Sequence, residues 1–412
     1  MGLDGSPPPG WVACVALLNN KGLQAAYNEL GIAEAVMVQA SLPPSPRFAL
    51  SGISTPVELD IEARLVADIL ALATLPARSE IATDRFRQAQ LRAAEETLRV
   101  AALVRRSYYR AVAARAVIAA LTDTVSAAES AAKLAKQLAE TGAINKLDQA
   151  REEAFYSDVN IQLAKARQQA ASEREQLIRA IGLWENDQTI KLPQMLPTLP
   201  KHPRSLAAVE TEALRRRVDL QIARIETDAL AKSYGLTKAT RFINLLEISG
   251  VSRTQRESGG AHGTGGGGDA ELQIPIFDFG ETNLRKAGET YMAAVNRLSE
   301  TAVNTRSQAR EAYLTYRSGY DIAARYERDV LPLRKTISDE TTLRYGAMQI
   351  DVFSLLTEAQ RRIAANVAAI EALRDFWLAN TDLDAALIGG GVAGSGRSKL
   401  NITNQADAAG GE

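Results

Sequence analysis

The stretch from Glu80 to Thr141 contains neither proline nor glycine, and alanine recurs along it at helical spacing. At 1.5 Å per residue, about sixty helical residues form a rod of roughly 90 Å. A compact domain cannot bury such a rod, so it must lie beside partners of similar length. Alanine-rich faces let helices approach closely. The chain is therefore predicted to be mainly α-helical and elongated, with a small β part.

Two similar segments predict the tips of long helical hairpins. One reads LAETGAINKLDQAREEA, and the other, from Leu343 to Gln360, reads LRYGAMQIDVFSLLTEAQ. In each, Gly142 or Gly346 ends a helical pattern, a few mixed residues follow, and an Asp stands where a new helical pattern begins. Glycine commonly ends helices because it takes the left-handed conformation without strain. The return helices are predicted at 147–182 and 351–387.

The two tips belong to a longer internal repeat. Leu23 in ALLNNKGLQAA corresponds to Leu220 in ALRRRVDLQIA, an offset of 220 − 23 = 197, and the tip glycines differ by 346 − 142 = 204. An offset near half the chain predicts two equivalent halves, each with a helix, two strands and a long hairpin. The predicted parts are a disordered N-terminus (1–10), a first repeat (11–190), a proline-rich linker (191–204), a second repeat (205–388) and a disordered tail (389–412).

Four strands are predicted, at 47–54, 57–69, 241–253 and 270–277. In residues 57–69 apolar and charged side chains alternate with period two, with only Val66 out of place. This pattern suits a soluble sheet or a membrane barrel, and its composition also allows a helix. The glycine-rich tract at 257–270 is predicted to be a turn between strands. Helices are expected at 12–40 and 206–235, and a second rod toward Tyr345 should be kinked or split at Pro332.

Composition excludes several functions. The net charge is −1 with both signs mixed along the chain, so no nucleic-acid partner is expected. One Cys and two His leave no internal disulfide and no ordinary metal site. No catalytic pairing or phosphate loop is visible, so neither an enzyme nor a cofactor is expected. The sequence contains no run of eighteen apolar residues, so no transmembrane helix is predicted. The start, MGLDGSPPPGW, lacks the features of an export signal, and an upstream leader is expected.

Several motifs resemble the TolC-like outer-membrane efflux proteins, over about residues 14–387. They are ALLNNKGLQAAYNELGIAEA, ALRRRVDLQIAR, PIFDFG, TGAINKLD, RYGAMQIDVFSLL and RDFWLANTDLDAAL. The resemblance implies a homotrimer with a β-barrel in outer-membrane lipid and a helical tunnel in the periplasm. It would be the passive exit duct of a tripartite efflux system, docked to a periplasmic adaptor and fed by an inner-membrane pump. Four strands per chain agree with this, because four cannot close a membrane barrel whereas three chains supply twelve.

The resemblance also implies a site at the tips. Asp351, Ser354 and Asp148 are expected at the channel entrance, although Ser354 stands where the family commonly has a second acidic residue. Asp351 is also a candidate N-cap of the last helix. The expected adaptor-docking residues are Gly142, Ala143, Ile144, Asn145, Gly346, Ala347, Met348 and Gln349. The second tip is similar to a branch associated with heavy-metal resistance, so the expected cargo is heavy-metal ions or small toxic compounds. The alternative function is a soluble periplasmic helical scaffold or adaptor-like protein.

Overall fold

The computed structural model describes residues 8–54, 58–142, 144–183, 191–205, 208–257, 260 and 262–391. Within these ranges the helices are α1 (Pro9–Asn19), α2 (Lys21–Ser41), α3 (Ile69–Glu140), α4 (Lys146–Ile181), α5 (Val209–Arg216), α6 (Val218–Thr240), α7 (Glu281–Arg325), α8 (Leu331–Gly346) and α9 (Val352–Ile388). The strands are β1 (Arg47–Ser54), β2 (Glu58–Asp68), β3 (Leu245–Glu257) and β4 (His262–Gln273). Residues 9 and 10, predicted to be disordered, lie in α1, where a proline in the first turn suits the start of a helix.

Helix α3 is the long axis of the molecule. Its 72 residues span about 108 Å. Toward the sheet it lies between α2 and α6, and toward the tips it packs against α4 and α9. It begins earlier than predicted, at Ile69 rather than near Glu80, because the Asp68 side chain caps it by accepting a hydrogen bond from the backbone N–H of Ala71 at 2.8 Å.

The two helices predicted at 12–40 and 206–235 are each broken once. Asn20 separates α1 from α2, and Arg217 separates α5 from α6, both with extended backbone. The breaks are 217 − 20 = 197 residues apart, the offset found in the sequence. Asn20 accepts a hydrogen bond from the N–H of Leu23 and donates one to the carbonyl of Ala180, each at 3.1 Å. The first break is therefore fixed against the end of α4.

The four strands form one antiparallel sheet in the order β1-β2-β3-β4. The bounds of β1 are as predicted. The glycine-rich tract was predicted to be a turn, but its residues from His262 onward form most of β4. Strand β4 pairs with β3 along a ladder that begins at His262 opposite Arg256 and ends at Gln273 opposite Leu245. The predicted strand at 270–277 is correspondingly wrong beyond Gln273. Pro275 has no N–H to give to a ladder, and its carbonyl accepts from Phe279 in a turn.

The second rod is interrupted at the place predicted from Pro332. A π-helical turn, Tyr326–Val330, joins α7 to α8, and Pro332 lies in the first turn of α8. There its missing N–H costs little, because the preceding wider turn already rearranges the hydrogen bonds. The rod therefore continues toward the tip in two pieces.

The main apolar core lies midway along the molecule, where aromatic rings of α3, α7 and α9 meet. Trp377 stacks on Tyr109 at 5.5 Å between ring centroids and meets Phe376 edge-on at 5.1 Å. The proline-rich linker crosses this region and is bound to it. The indole N–H of Trp377 donates to the carbonyl of Pro197 at 3.0 Å, and the Tyr320 hydroxyl donates to the carbonyl of Pro200 at 3.1 Å.

The start of the predicted disordered tail is also held in place. Residues 389–391 are described, and the Arg106 guanidinium donates to the carbonyl of Gly391 at 2.8 Å. Residues 392–412 lie outside the described part of the chain.

Within the described residues, helix α3 contains an 18-residue window with mean hydropathy 1.4, and 33% of this window is buried. Core helices of soluble proteins pass the same test, so this window is weak support for a membrane-spanning helix.

Candidate functional site at the helical tips

The first tip joins α3 to α4. Gly142 takes a left-handed conformation, with φ of 76°, and a side chain there would have open space around it. Asn145 caps α4, because its side chain accepts a hydrogen bond from the N–H of Asp148 at 2.8 Å. Ile144 is half-buried and Asn145 is exposed, whereas Ala143 lies outside the described residues.

The second tip joins α8 to α9 by a different turn. Gly346 is the last residue of α8 and is not left-handed, so the sequence-based assignment of that role to Gly346 is wrong. Met348 takes it instead, with φ of 59° and a side chain that is 94% exposed. The N–H of Gln349 donates to the carbonyl of Arg344 at 2.9 Å, and this hydrogen bond closes the turn after the left-handed residue. Ala347 and Gln349 are exposed.

Asp351 is the N-cap of α9. One carboxylate oxygen accepts from the N–H of Ser354 at 3.0 Å and from the Ser354 hydroxyl at 2.6 Å. The hydroxyl bond first, and then the backbone bond, hold the pKa of Asp351 below its usual 3.8. Both residues are exposed. Ser354 thus positions the Asp351 carboxylate and favours its ionised form. Although Ser354 is neutral where the family commonly has an acidic residue, it supports the carboxylate that remains.

Side chains of α4 bring the two tips together. The Arg151 guanidinium lies over the ring of Phe353, 5.4 Å from its centroid, and pairs with Asp148 at 3.4 Å. Its charge also helps to lower the pKa of Asp351. On α8, burial and then the charges of Glu152 and Asp148 raise the pKa of Tyr345. Asp148 therefore lies in the first turn of α4, facing Arg151 and the second tip.

Behind the tips, buried charges tie the helices to one another. Arg334 of α8 pairs with Glu358 of α9 at 3.3 Å, and the Glu358 side chain is nearly inaccessible. Removing Arg334 would leave the Glu358 charge buried and uncompensated, which is costly. On α4, Glu152 is only 6% exposed, and its Oε2 has no hydrogen-bond partner among the described residues. Burial raises the pKa of Glu152.

At the opposite end of the molecule, the sheet has two unlike faces. The pairing register and the alternation of side chains place one set of exposed apolar residues on one face. This set is Phe48, Leu50, Leu59, Ile61, Leu65, Ile248 and Leu272. The other face carries ion pairs between strands, Arg47 with Glu247 and Arg253 with Asp60. The period-two pattern of β2 predicted one such face.

The structure brings most of the predicted site together. The described residues of both tips lie at one end of the molecule, where Asp148 pairs with Arg151 and the charge of Arg151 also lowers the pKa of Asp351. Sequence reasoning missed Arg151, Phe353 and Glu152. A signal for Glu152 was present, since it lies three residues before Phe155 on the stripe that continues through the buried Val159.

No protein-family model and no curated protein matches this sequence. Solved structures do match. A structure of CusC, described by its conformational changes on transmembrane channel formation, has a TM-score of 0.79 at 17% identity over 94% of this chain and 93% of that chain. The Campylobacter jejuni CmeC outer membrane channel has a TM-score of 0.79 at 16% identity, over 94% and 87%. The open state of the Neisseria gonorrhoeae MtrE outer membrane channel has a TM-score of 0.75 at 17% identity, over 93% and 89%.

Long helical hairpins below a small four-stranded sheet define a helical-tunnel fold with a β part. The similar structures identify it more narrowly: this chain has the fold of the TolC-like outer-membrane channels. The fold class predicted from the sequence is confirmed for the single chain.

Proposed function

We propose that the chain is the outer-membrane channel component of a tripartite efflux system, a passive duct that works as a homotrimer. The observation that carries this proposal is the open sheet with one exposed apolar face and one charged face. In the single chain no described residue covers the apolar face. Outer-membrane strands have this alternation, with apolar side chains toward lipid and polar ones toward the lumen, and about 9–11 residues suffice to span. Strand β2 has 11 residues.

Closure of the sheet requires other chains. The order β1-β2-β3-β4 leaves β1 and β4 as the two edges, and an open edge cannot stand in lipid because its backbone groups would be unpaired. Pairing β1 of one chain with β4 of the next closes a ring, and three chains supply twelve strands. An even number of that size is typical of membrane barrels that enclose a lumen.

The helical tips are the other end of the proposed duct. Most of their described residues are exposed. They stand about 108 Å from the sheet, the length of α3 at 1.5 Å per residue. We assign docking of a periplasmic adaptor, which connects to an inner-membrane pump, to Gly142, Ala143, Ile144, Asn145, Gly346, Ala347, Met348 and Gln349. Asp351, held by Ser354, and Asp148 would then line the entrance.

The cargo follows from the charge at that entrance. A ring of ionised carboxylates attracts cations and repels anions at a narrow point. Three copies of Asp351 near the threefold axis would form such a ring. The proposed cargo is heavy-metal ions or small toxic compounds, and this charge favours those that are cations.

The test is assembly and conductance of the full chain, produced with an export leader and purified in detergent. Light scattering should give the mass of a trimer, 3 × 44.4 kDa, and addition to a planar lipid bilayer should give discrete conductance steps. A monomer that is soluble without detergent and does not conduct would refute the proposal and favour a periplasmic scaffold.

A further inference from the structure

A cavity of about 530 Å³ lies between the four helices that carry the tips, α3, α4, α8 and α9. Its walls are mainly apolar and unusually rich in small side chains. They include Ala120, Ala128, Phe155, Leu356, Ala359 and Ile363. The alanines of α3 let the helices come close but leave the space between them unfilled, where larger side chains would close it. Pockets of 300–1,000 Å³ with apolar walls commonly bind small molecules.

Glu152 lines this cavity and is its most unusual feature. The side chain is buried, yet its Oε2 has no hydrogen-bond partner among the described residues. Buried polar groups nearly always have a partner, so one without any indicates a missing ligand or solvent molecule. The other charged groups on the wall are exposed. Asp123 lies at the rim, and Arg362 donates to the Ser338 hydroxyl at 3.0 Å.

We propose that this cavity binds a small organic ammonium ion with an apolar body. The ammonium N–H groups would donate to the Glu152 carboxylate, and the hydrocarbon part would lie against the alanine, leucine and phenylalanine walls. A bare metal ion fits the site poorly, because it needs several oxygen ligands and Glu152 stands among apolar side chains. An anion fits worse, since Glu152 and Asp123 are both acidic.

The site lies within one chain, so it does not depend on the proposed three-chain ring. Its four helices end in both tips, and Glu152 also affects Tyr345 close to the second tip. A ligand that binds this arrangement stabilises it over any other arrangement of the two hairpins. The site is therefore suited to small molecules that hold the tips in the position described here.

The probe is 2-phenylethylammonium, and 2-phenylethanol is its neutral analogue. Both are titrated calorimetrically into the full chain in one detergent, so that partition into micelles is the same for every variant. The unaltered chain should bind the ammonium saturably and at least about tenfold more tightly than the alcohol, because hydrogen bonds to charged groups are the strong ones. Glu152→Gln should remove that preference and leave alcohol binding unchanged.

Glu153→Gln is the matched control. Glu153 is the next residue on α4, is exposed, and accepts a hydrogen bond from Gln149 at 3.0 Å, so this variant should bind both probes as the unaltered chain does. Ala359→Leu fills part of the cavity and should weaken both probes. Absence of saturable ammonium binding, an unchanged preference in Glu152→Gln, or full binding in Ala359→Leu would each overturn the proposal. None of these outcomes bears on trimer formation or conductance.

Discussion

Asp351 is the N-cap of α9 and the proposed carboxylate of the channel entrance, and two substitutions can separate the two roles. Asp351→Asn removes the charge but keeps a side-chain oxygen able to accept from the N–H of Ser354, as the carboxylate now does at 3.0 Å. Asparagine is as good an N-cap as aspartate. Asp351→Ala removes both the charge and the cap. The first variant should therefore change ion passage alone, and the second should also loosen the first turn of α9.

The expected sizes follow from Coulomb's law and from the usual contribution of a helix cap. A unit charge about 6 Å from a passing ion in water changes the local cation concentration about threefold, so Asp351→Asn should lower cation-over-anion selectivity in a planar bilayer by at least that factor. Asp351→Ala should lower selectivity equally and speed amide exchange at Ser354 about fivefold, the usual effect of a lost cap. Because Ser354 lowers the pKa of Asp351 from 3.8, both the selectivity and the stability from this cap should persist at neutral pH. They should be lost only as pH falls below 3.8, through the lowered pKa.

Asp339→Asn is the control for this experiment, since Asp339 is an exposed carboxylate of α8 before the tip turn. It should change neither selectivity nor exchange at Ser354. Unchanged selectivity in Asp351→Asn would refute the assignment of Asp351 to the entrance. Unchanged exchange in Asp351→Ala would show that the two bonds to Ser354 do not hold the first turn of α9.

Three further predictions test other parts of the molecule. Gly142→Val should destabilise the first tip by about 1–2 kcal/mol, because a β-branched residue is strained at φ of 76°. Gly346→Val should destabilise the second tip little, because Gly346 is not left-handed. The rate of amide exchange at each tip measures the two effects. Leu65→Arg on the apolar face should prevent membrane assembly, because an arginine facing lipid in mid-bilayer costs about 2–4 kcal/mol per chain. Val66→Arg lies on the charged face, and this variant should assemble. Detergent extraction from outer membranes shows which variant has assembled. Burial raises the pKa of Glu152 above 4.5, so the folded chain holds this proton more tightly than the unfolded chain does. The folded chain therefore loses stability as pH rises from 4.5 through the raised pKa. The Glu152→Gln variant should have a higher melting temperature than the unaltered chain at neutral pH and the same melting temperature below pH 4.5.

Much of the helical architecture could be predicted because long helices have strong and repetitive sequence signals. The hairpin tips and the return helices α4 and α9 lie within one or two residues of the prediction. β1 was also predicted to the residue, since prolines end the preceding helix and β-branched and aromatic residues follow. The two tips still differ in detail. Nothing local to Met348 predicts that it, and not Gly346, takes the left-handed conformation.

Strand β4 shows what local sequence cannot supply. Glycine has low strand propensity, and a run of glycines is typical of a turn. Here the ladder comes from the partner strand: β3 is continuous from Leu245 to Glu257, and the part of the tract from His262 to Ala270 pairs with it residue by residue. The helix breaks at Asn20 and Arg217 were missed for a related reason. Each is determined by contacts with a distant segment, as when Asn20 donates to Ala180.

The two halves are alike where each hairpin ends against a helix break, whereas the turns at their tips differ in geometry. Gly182, at the end of α4, has φ of 79°, and a side chain there would come within 2.9 Å of the Asn20 backbone at the first helix break. At the end of α9, Gly389 packs against Val218 beside the second break, and a side chain on Gly390 would come within 2.8 Å of the Leu98 backbone. Both hairpins are thus joined to the middle of the molecule by glycines that tolerate no replacement. The glycines described at the tips, Gly142 and Gly346, have no such contacts, and the two turns differ. In the proposed channel, the shared frame would hold the two hairpins in place, and the free tips would be available for the adaptor.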